Sequence, residues 1–245
     1  MHKEEGIIYP RRGKGEPCIE GDVLMVLVSG ELNRFKERFN AFPIYRFDSE
    51  IFHLFKVDKG PYMVGPFLGA PQAVLGLEKM IALGAERIWV YGFCGSIQED
   101  IEIGDIIVPQ SSIPEEGTSE HYPVDLETCR TDMEMNSRIL EILDKRGLRY
   151  HKGNMWSIDA PYRETPSKIR RYCEMGILGV DMELSALITV ATFRSVKIAG
   201  LLLVSDLLLP YRWKPGFRDK EFKRVCGLIP DIFKDLLLRS WRRDG

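Results

Sequence analysis

Residues 179–186 of the chain read Gly-Val-Asp-Met-Glu-Leu-Ser-Ala, and they lead into an almost wholly apolar run at residues 184–193. A run of that length and character predicts a helix buried on most of its faces. Acidic residues at the start of such a helix suit its dipole, which favours negative charge at the N-terminus. The alternative is that Glu183 points away from the helix to hold a polar ligand, with Met182 as the apolar floor beneath that ligand.

Short apolar runs alternate with helical patterns on both sides of this stretch. A continuous apolar run at residues 23–28 predicts a strand covered on both faces, and residues 87–91 and 198–204 predict two further strands. A helix is predicted to begin at Pro71 and to end at Gly84, because proline suits a first turn and glycine suits the position after the last turn. Strands that alternate with helices predict an α/β fold with a largely parallel sheet.

Local signals also predict where several of these elements begin and end. Pro109 is expected to stop the strand at residues 106–108, because proline cannot donate to a ladder of hydrogen bonds. Thr131 and Glu134 have the spacing of a capping box and predict the start of the next helix. The strand at residues 198–204 is expected to end just before Asp206.

Polar and glycine-rich segments follow several of the predicted strands. In parallel sheets, ligands gather at the carboxyl ends of the strands. This rule brings Gly30, residues 92–96, residues 159–163 and Asp206 to one rim of the sheet, which Glu183 would reach from the start of its helix. The sequence therefore predicts one ligand site at this rim.

The length and composition of the chain limit the classes of protein to which it can belong. A chain of 245 residues predicts one domain, residues 1–245, with an irregular N-terminal arm at residues 1–21. A net charge of -2 gives no general attraction to nucleic acid. The five cysteines are scattered, which argues against disulfides or a zinc site and for a reducing compartment. With no apolar run near the roughly 18 residues of a membrane span and no signal peptide, we expect a cytoplasmic protein that does not enter membranes.

Five short motifs occur in an order that resembles the nucleoside phosphorylase-I family, which includes purine nucleoside phosphorylase, uridine phosphorylase and the adenosylhomocysteine nucleosidases. The motifs are Gly92-x-Cys94-Gly95, Gly104-Asp105-Ile106-Ile107-Val108-Pro109, Gly117-Thr118-Ser119-x-His121-Tyr122, Val180-Asp181-Met182-Glu183 and Val204-Ser205-Asp206. The resemblance covers roughly residues 20–240. It implies a three-layer α/β/α fold around a twisted mixed central sheet, in subunits that assemble into dimers or trimers of dimers.

The resemblance also implies an activity and a set of site residues. It implies a nucleoside phosphorylase that cleaves the bond between base and ribose with inorganic phosphate as co-substrate, without another cofactor or a metal. Asp206 resembles the acid that protonates the purine N7, and Arg218 is the candidate residue to orient it. The other implied contacts are Met182, Glu183 and His121 for the ribose, Phe93, Cys94, Gly95 and Tyr162 for the base, and Gly30, Arg34, Arg46 and Ser96 for phosphate, with Arg46 lent by a neighbouring subunit.

The sequence departs from the family pattern at two phosphate ligands, because Val90 and Phe93 stand where the phosphorylases have arginine and Ser or Thr. Three functions therefore remain open: a phosphorylase, a nucleosidase of the methylthioadenosine or adenosylhomocysteine type that uses water, and a nucleoside-binding protein without activity. Glu31 is the nearest candidate to activate water. The base also stays open, since the 117–122 loop resembles uridine phosphorylase, whereas Ser205 and Asp206 resemble the purine enzymes, which we favour.

Overall fold

The structure is a computed structural model that describes residues 6–47, 52–209 and 212–241, with side chains described to residue 238. The first five residues of the expected N-terminal arm lie outside the described residues, and residues 6–20 contain neither helix nor strand. The strands are β1 (Gly21–Val26), β2 (Phe42–Arg46), β3 (His53–Lys56), β4 (Tyr62–Gly65), β5 (Ala85–Ser96), β6 (Ile106–Pro114), β7 (Tyr150–Ser157), β8 (Gly179–Asp181), β9 (Lys197–Leu209) and β10 (Arg212–Pro215).

Helices connect most of these strands. They are α1 (Ser29–Phe39), α2 (Ala70–Leu83), α3 (Met133–Lys145), α4 (Pro166–Glu174), α5 (Leu184–Arg194) and α6 (Lys220–Trp241). Single 3-10 turns lie at Ser119–His121, Leu126–Thr128 and Pro161–Arg163. Among the described residues, no helix combines the length and the apolar composition that crossing a bilayer requires.

The strands of the described residues form one sheet in the order β10-β9-β6-β7-β8-β5-β1-β4-β3-β2. The sheet is mixed: β1, for example, runs parallel to β4 and β5, whereas β6 runs antiparallel to β9. An additional pairing joins β5 to β9 along most of their length. Five strands therefore form a closed ring within the sheet, through the pairings β5–β9, β9–β6, β6–β7, β7–β8 and β8–β5.

Helices cover both faces of the sheet. Side chains alternate along β1, so Val23 and Met25 pack in one core with α2 and α5, while Leu24 and Val26 pack in another with α1, α3 and α6. The predicted helix after Glu183 is confirmed as α5, in which residues from Leu184 to Ala191 are buried. These two cores and the sheet between them confirm the three-layer α/β/α fold.

Three strands continue past the residues where the sequence predicts their ends. Pro109 does not stop β6, because a register shift against β7 between Pro109 and Ser111 accommodates the proline. Strand β5 runs through Gly92, where a side chain would begin 3.0 Å from Leu27 and 3.1 Å from Leu202. This glycine therefore permits close packing inside a strand. Likewise β9 continues past Asp206 to Leu209, because β5 and β10 pair with it there.

The sequence analysis does not predict two of the strands, and it places one helix cap at the wrong residue. Strand β8 has only three residues, and β10 is a four-residue strand that turns back along β9. The helix cap predicted at Thr131 is displaced by one residue, to Asp132. The side chain of Asp132 accepts the hydrogen bond from the N–H of Met135 at 2.9 Å, while the Thr131 hydroxyl donates to the carbonyl of Pro109 at 2.7 Å.

Candidate active site

A cavity of about 970 Å³ opens at the edge of the sheet where β1, β5 and β9 approach one another. It is lined by the chain after β1, the end of β5, the C-terminal part of β9, the segments 66–68 and 180–183, and the residues Pro161, Tyr162 and Glu164. Seven of the predicted site residues are part of this lining: Phe93, Cys94, Gly95, Tyr162, Met182, Glu183 and Asp206. The structure therefore brings Glu183 and Asp206 to one cavity, in agreement with the predicted ligand site at one rim of the sheet.

Glu183 lies at the junction of β8 and α5, and only 8% of its surface is exposed. Its Oε1 accepts a hydrogen bond from the N–H of Gly69 at 2.6 Å. Gly69 has a φ of 81°, which residues with a side chain rarely adopt, so glycine is needed to aim this N–H at the carboxyl group. Burial and then the charge of Asp181 raise the pKa of Glu183 to about 8, against the lowering effect of the Gly69 hydrogen bond.

The neighbouring carboxyl group, Asp181, has a different task. Its Oδ2 accepts hydrogen bonds from the N–H groups of Glu183 at 3.0 Å and Leu184 at 2.7 Å, so Asp181 caps the start of α5. Its Oδ1 accepts from the Ser157 hydroxyl at 2.5 Å. Burial raises the pKa of Asp181 to about 6, although these hydrogen bonds lower it. Capping by Asp181 leaves Glu183 directed towards the cavity.

Asp206 lies inside β9, opposite Gly95 of β5. A side chain at Gly95 would begin 2.3 Å from Leu208 and 3.1 Å from Oδ2 of Asp206, so glycine is required for this arrangement. The Ser205 hydroxyl donates to Oδ1 of Asp206 at 2.6 Å, and Nε1 of Trp213 donates to Oδ2 at 2.8 Å. Trp213, on the unpredicted strand β10, therefore holds Asp206 where the sequence analysis expects Arg218.

Glu164 is a functional candidate that the sequence analysis missed. It follows the 3-10 turn Pro161–Arg163 and lines the same cavity as Asp206. Burial and then the charge of Asp206 raise the pKa of Glu164 to about 7, and Lys168 opposes this effect. The sequence gives no sign of this pair, because the turn and β9 meet only in the folded chain.

The remaining predicted phosphate residues are not part of the cavity lining. Ser96 is buried, and its hydroxyl donates to the carbonyl of Leu178 at 3.1 Å. Gly30 belongs to the first turn of α1, beside Ser29, which does line the cavity. Arg34 forms an ion pair with Glu31 at 3.2 Å on the same helix, and Arg46 is exposed at the end of β2, the outermost strand on that side of the sheet.

Two other predicted residues also lie apart from this lining. His121 lines a second cavity of about 930 Å³ together with residues of the N-terminal arm, including Tyr9 and Arg11. Arg218 is exposed between β10 and α6. Their predicted contacts with ribose and with Asp206 are thus not formed within one described chain.

The charged side chains that line the cavity are all acidic. Four acidic side chains contribute to its lining: Glu164, Asp181, Glu183 and Asp206. None of the described lining residues is Lys, Arg or His. In the described ranges, no group of three or more His, Cys, Asp or Glu side chains is arranged to hold a metal ion. Such a site suits a polar ligand that is rich in hydroxyl and N–H donors. An anion would have to bind to backbone N–H groups or to residues of a second chain.

Several named proteins are similar to this chain. A guanosine phosphorylase of Halorubrum lacusprofundi is 25% identical over 175 residues, which are 71% of this chain and 70% of that protein. A DeoD-type purine nucleoside phosphorylase of Brevibacillus brevis is 29% identical over 59% of this chain and 63% of its own length. A uridine phosphorylase of Thermococcus kodakarensis is 34% identical, but over only 39% of this chain and 34% of that protein.

A solved structure supports the fold separately from these sequences. The crystal structure of a uridine phosphorylase from Vibrio fischeri matches with a TM-score of 0.75 and 21% identity, over 89% of this chain and 91% of that one. The family model described as the phosphorylase superfamily matches residues 23–229, a range that includes α1, the ring of strands and both sides of the cavity. The chain therefore belongs to the phosphorylase superfamily.

Proposed function

We propose that this protein is a nucleoside phosphorylase that cleaves purine nucleosides with inorganic phosphate to give the free base and ribose 1-phosphate. The observation that carries this proposal is that Glu183 and the pair of Glu164 and Asp206 line one cavity. Its volume of about 970 Å³ lies in the range of small-molecule sites. The similarity to a guanosine phosphorylase and to purine nucleoside phosphorylases supports the choice of purine.

The chemistry of glycosidic cleavage fits acidic groups at two ends of the substrate. The bond breaks through a state in which the sugar carries positive charge. Glu183 would accept hydrogen bonds from the ribose hydroxyls, and its negative charge would stabilise the sugar as positive charge develops. Glu164 and Asp206 would face the base, where N–H groups and ring nitrogens need acceptors and a proton.

Phosphate would bind beside the start of α1. Ser29, the first residue of that helix, lines the cavity, and helix N-termini bind anions through their N–H groups and dipole. A side chain at Gly30 would meet no atom within 4 Å, so the space next to this backbone is open. In this proposal the backbone takes over part of the task that the arginine and Ser or Thr ligands perform in the family pattern.

Hydrolysis is the second candidate, and the cavity's charge favours it. A phosphate dianion would enter a cavity whose described lining contains carboxyl groups but no cationic side chain. Water would meet no such repulsion. The water-activating role of Glu31 gains no support, because its carboxylate pairs with Arg34 and it is not part of the described lining.

Phosphate dependence distinguishes the two reactions. We expect guanosine and inosine to release base only when inorganic phosphate is added, and ribose 1-phosphate to appear in equal amount. The measurement is base release by absorbance together with detection of the sugar phosphate, using uridine and methylthioadenosine as the other substrates. Equal base release with and without phosphate would assign the protein to the hydrolases instead.

We further propose that the protein works as a cytoplasmic homo-oligomer in nucleoside salvage. The described cysteines are free thiols, which suits a reducing compartment. Arg46 is exposed on an outermost strand, so it could enter the cavity of a second copy and supply the missing positive charge.

Mixing two inactive variants tests the shared site. Arg46→Ala and Glu183→Gln should each lose activity, but a mixed dimer has one site with both residues intact. After subunit exchange, random pairing should restore about a quarter of the wild-type activity per subunit. No recovery in a mixture that has demonstrably exchanged subunits would show that Arg46 does not act across an interface.

A further inference from the structure

We propose that Glu164, and not Asp206, is the general acid that protonates the leaving base. This inference rests on the proposed phosphorylase activity and adds a catalytic residue to it. Both carboxyl groups line the cavity that would hold the base. What separates them is the set of groups around each one.

Asp206 is surrounded by hydrogen-bond donors. Nε1 of Trp213 can only donate, so Oδ2 of Asp206 must accept. Oδ1 accepts from the Ser205 hydroxyl at 2.6 Å. Both oxygens of Asp206 are therefore already engaged by donors of the protein. Asp206 thus serves as a hydrogen-bond acceptor in a fixed position beside Glu164.

Glu164 has the opposite surroundings. It is partly buried, and its charged neighbours are Asp206 of β9 and Lys168 of α4. Lys168 is engaged by Glu115 at 2.7 Å, which reduces its pull on Glu164. Burial and the Asp206 charge raise the pKa of Glu164 to about 7, so a large fraction of this group carries a proton near neutral pH. Two adjacent carboxyl groups with different environments are a common arrangement for dividing base and acid roles.

The local backbone holds Glu164 in place. The N–H of Glu164 donates to the carbonyl of Pro161 at 3.2 Å, and the N–H of Arg163 donates to the carbonyl of Ala160 at 2.8 Å. Helix α4 begins directly afterwards at Pro166. The carboxyl group therefore comes from a short, hydrogen-bonded turn at the cavity wall, which suits a group that must meet a ring nitrogen.

Protonation by Glu164 accompanies cleavage of the glycosidic bond. The bond between C1′ of ribose and the base nitrogen breaks, and its electron pair goes to the purine ring. The Glu164 proton moves to N7, so the base leaves neutral and Glu164 becomes a carboxylate. An oxygen of inorganic phosphate forms the new bond to C1′, and Glu164 regains a proton from solvent after the base departs.

Guanosine and 7-methylguanosine test whether a residue acts as the general acid, Glu164 in our proposal or Asp206 in the alternative. The methylated base already carries the positive charge that N7 protonation creates, so its departure needs no acid. With phosphate at pH 6, Glu164→Gln should lower kcat/KM for guanosine by roughly 10²–10⁴-fold. The same variant should turn over 7-methylguanosine close to the wild-type rate, which also shows that its site is folded. Relative to Glu164→Gln, wild-type guanosine turnover should fall as pH rises through about 7, because only the wild type loses a proton from residue 164 there, whereas ionisation of Glu183 changes both proteins alike.

Asp206→Asn is the matched control. Removing its charge lowers the pKa of Glu164, so the alkaline fall in guanosine turnover should move to lower pH. If Asp206→Asn loses guanosine selectively and Glu164→Gln does not, the acid role belongs to Asp206 and our proposal fails. Wild-type activity that Glu164→Gln leaves unchanged would overturn this inference alone. A wild-type protein that cleaves neither nucleoside would overturn the proposed function as well.

Discussion

Above pH 8, where Glu183 is ionised, Glu183→Gln is expected to lower kcat/KM for guanosine by about a hundredfold or more while making the protein more stable. The substitution keeps the oxygen that accepts from Gly69 and removes only the charge. Charge-assisted hydrogen bonds to the ribose would be lost, which costs about 3 kcal/mol in the transition state. The residue that we expect to matter most for activity is therefore one that destabilises the folded protein.

The stability effect follows from the raised pKa of Glu183. Its folded value of about 8 lies above the ordinary glutamic acid value of 4.5, so the folded protein binds this proton more tightly than the unfolded chain. The corresponding stabilisation is complete below the unfolded pKa and is lost as pH rises through about 8. Above that pH we expect Glu183→Gln to be more stable than the wild type by up to about 5 kcal/mol, since each unit of pKa difference is worth about 1.4 kcal/mol.

Urea unfolding at pH 5 and at pH 8.5, together with kcat/KM for guanosine, checks both effects. The difference in unfolding free energy between the variant and the wild type should be larger at the higher pH. A difference that does not change with pH would show that Glu183 is not a buried proton-binding group. Unchanged kcat/KM would remove it from the ribose site.

Asp181→Ala is expected to lower the free energy of unfolding by about 3 kcal/mol, because three donors lose their acceptor. These donors are the N–H groups of Glu183 and Leu184 and the hydroxyl of Ser157. Activity should fall as well, since the start of α5 would no longer be fixed and Glu183 would lose its position. Chemical denaturation and kcat/KM provide the two measurements.

Asp181→Asn is the control for charge. Asparagine still caps a helix well, so its unfolding free energy should stay near that of the wild type. The charge of Asp181 raises the pKa of Glu183, and its removal lowers that pKa. If Glu183 must be ionised to hold ribose, the acidic limb of the kcat/KM profile should move to lower pH. Equal loss of stability in both Asp181 variants would contradict the capping role.

Local patterns in the sequence predict much of the fold. The apolar run after Glu183 forms α5, and Gly84 ends α2 in the left-handed conformation. These features depend on residues that are neighbours along the chain. Strand ends are less predictable, because β6 and β9 continue wherever another strand is available for pairing.

The two carboxyl groups at residues 181 and 183 illustrate what the sequence leaves open. Their proximity and the helix after them indicate both a cap and a ligand contact. Ser157 binds one of them and Gly69 binds the other, and only these distant residues decide which carboxyl group has which task. Glu164 and Trp213 could not be predicted for the same reason, since each gains its importance from Asp206 on another strand.

The closed ring of strands has a consequence for biosynthesis. Strand β9 pairs with both β5 and β6, yet it leaves the ribosome after both of them. Until it arrives, most of one side of β5 and one side of β6 have unpaired backbone groups, which favour association between chains. The nascent protein is therefore prone to aggregate while β5 and β6 have left the ribosome and β9 has not, when a chaperone that shields open sheet edges would help it most.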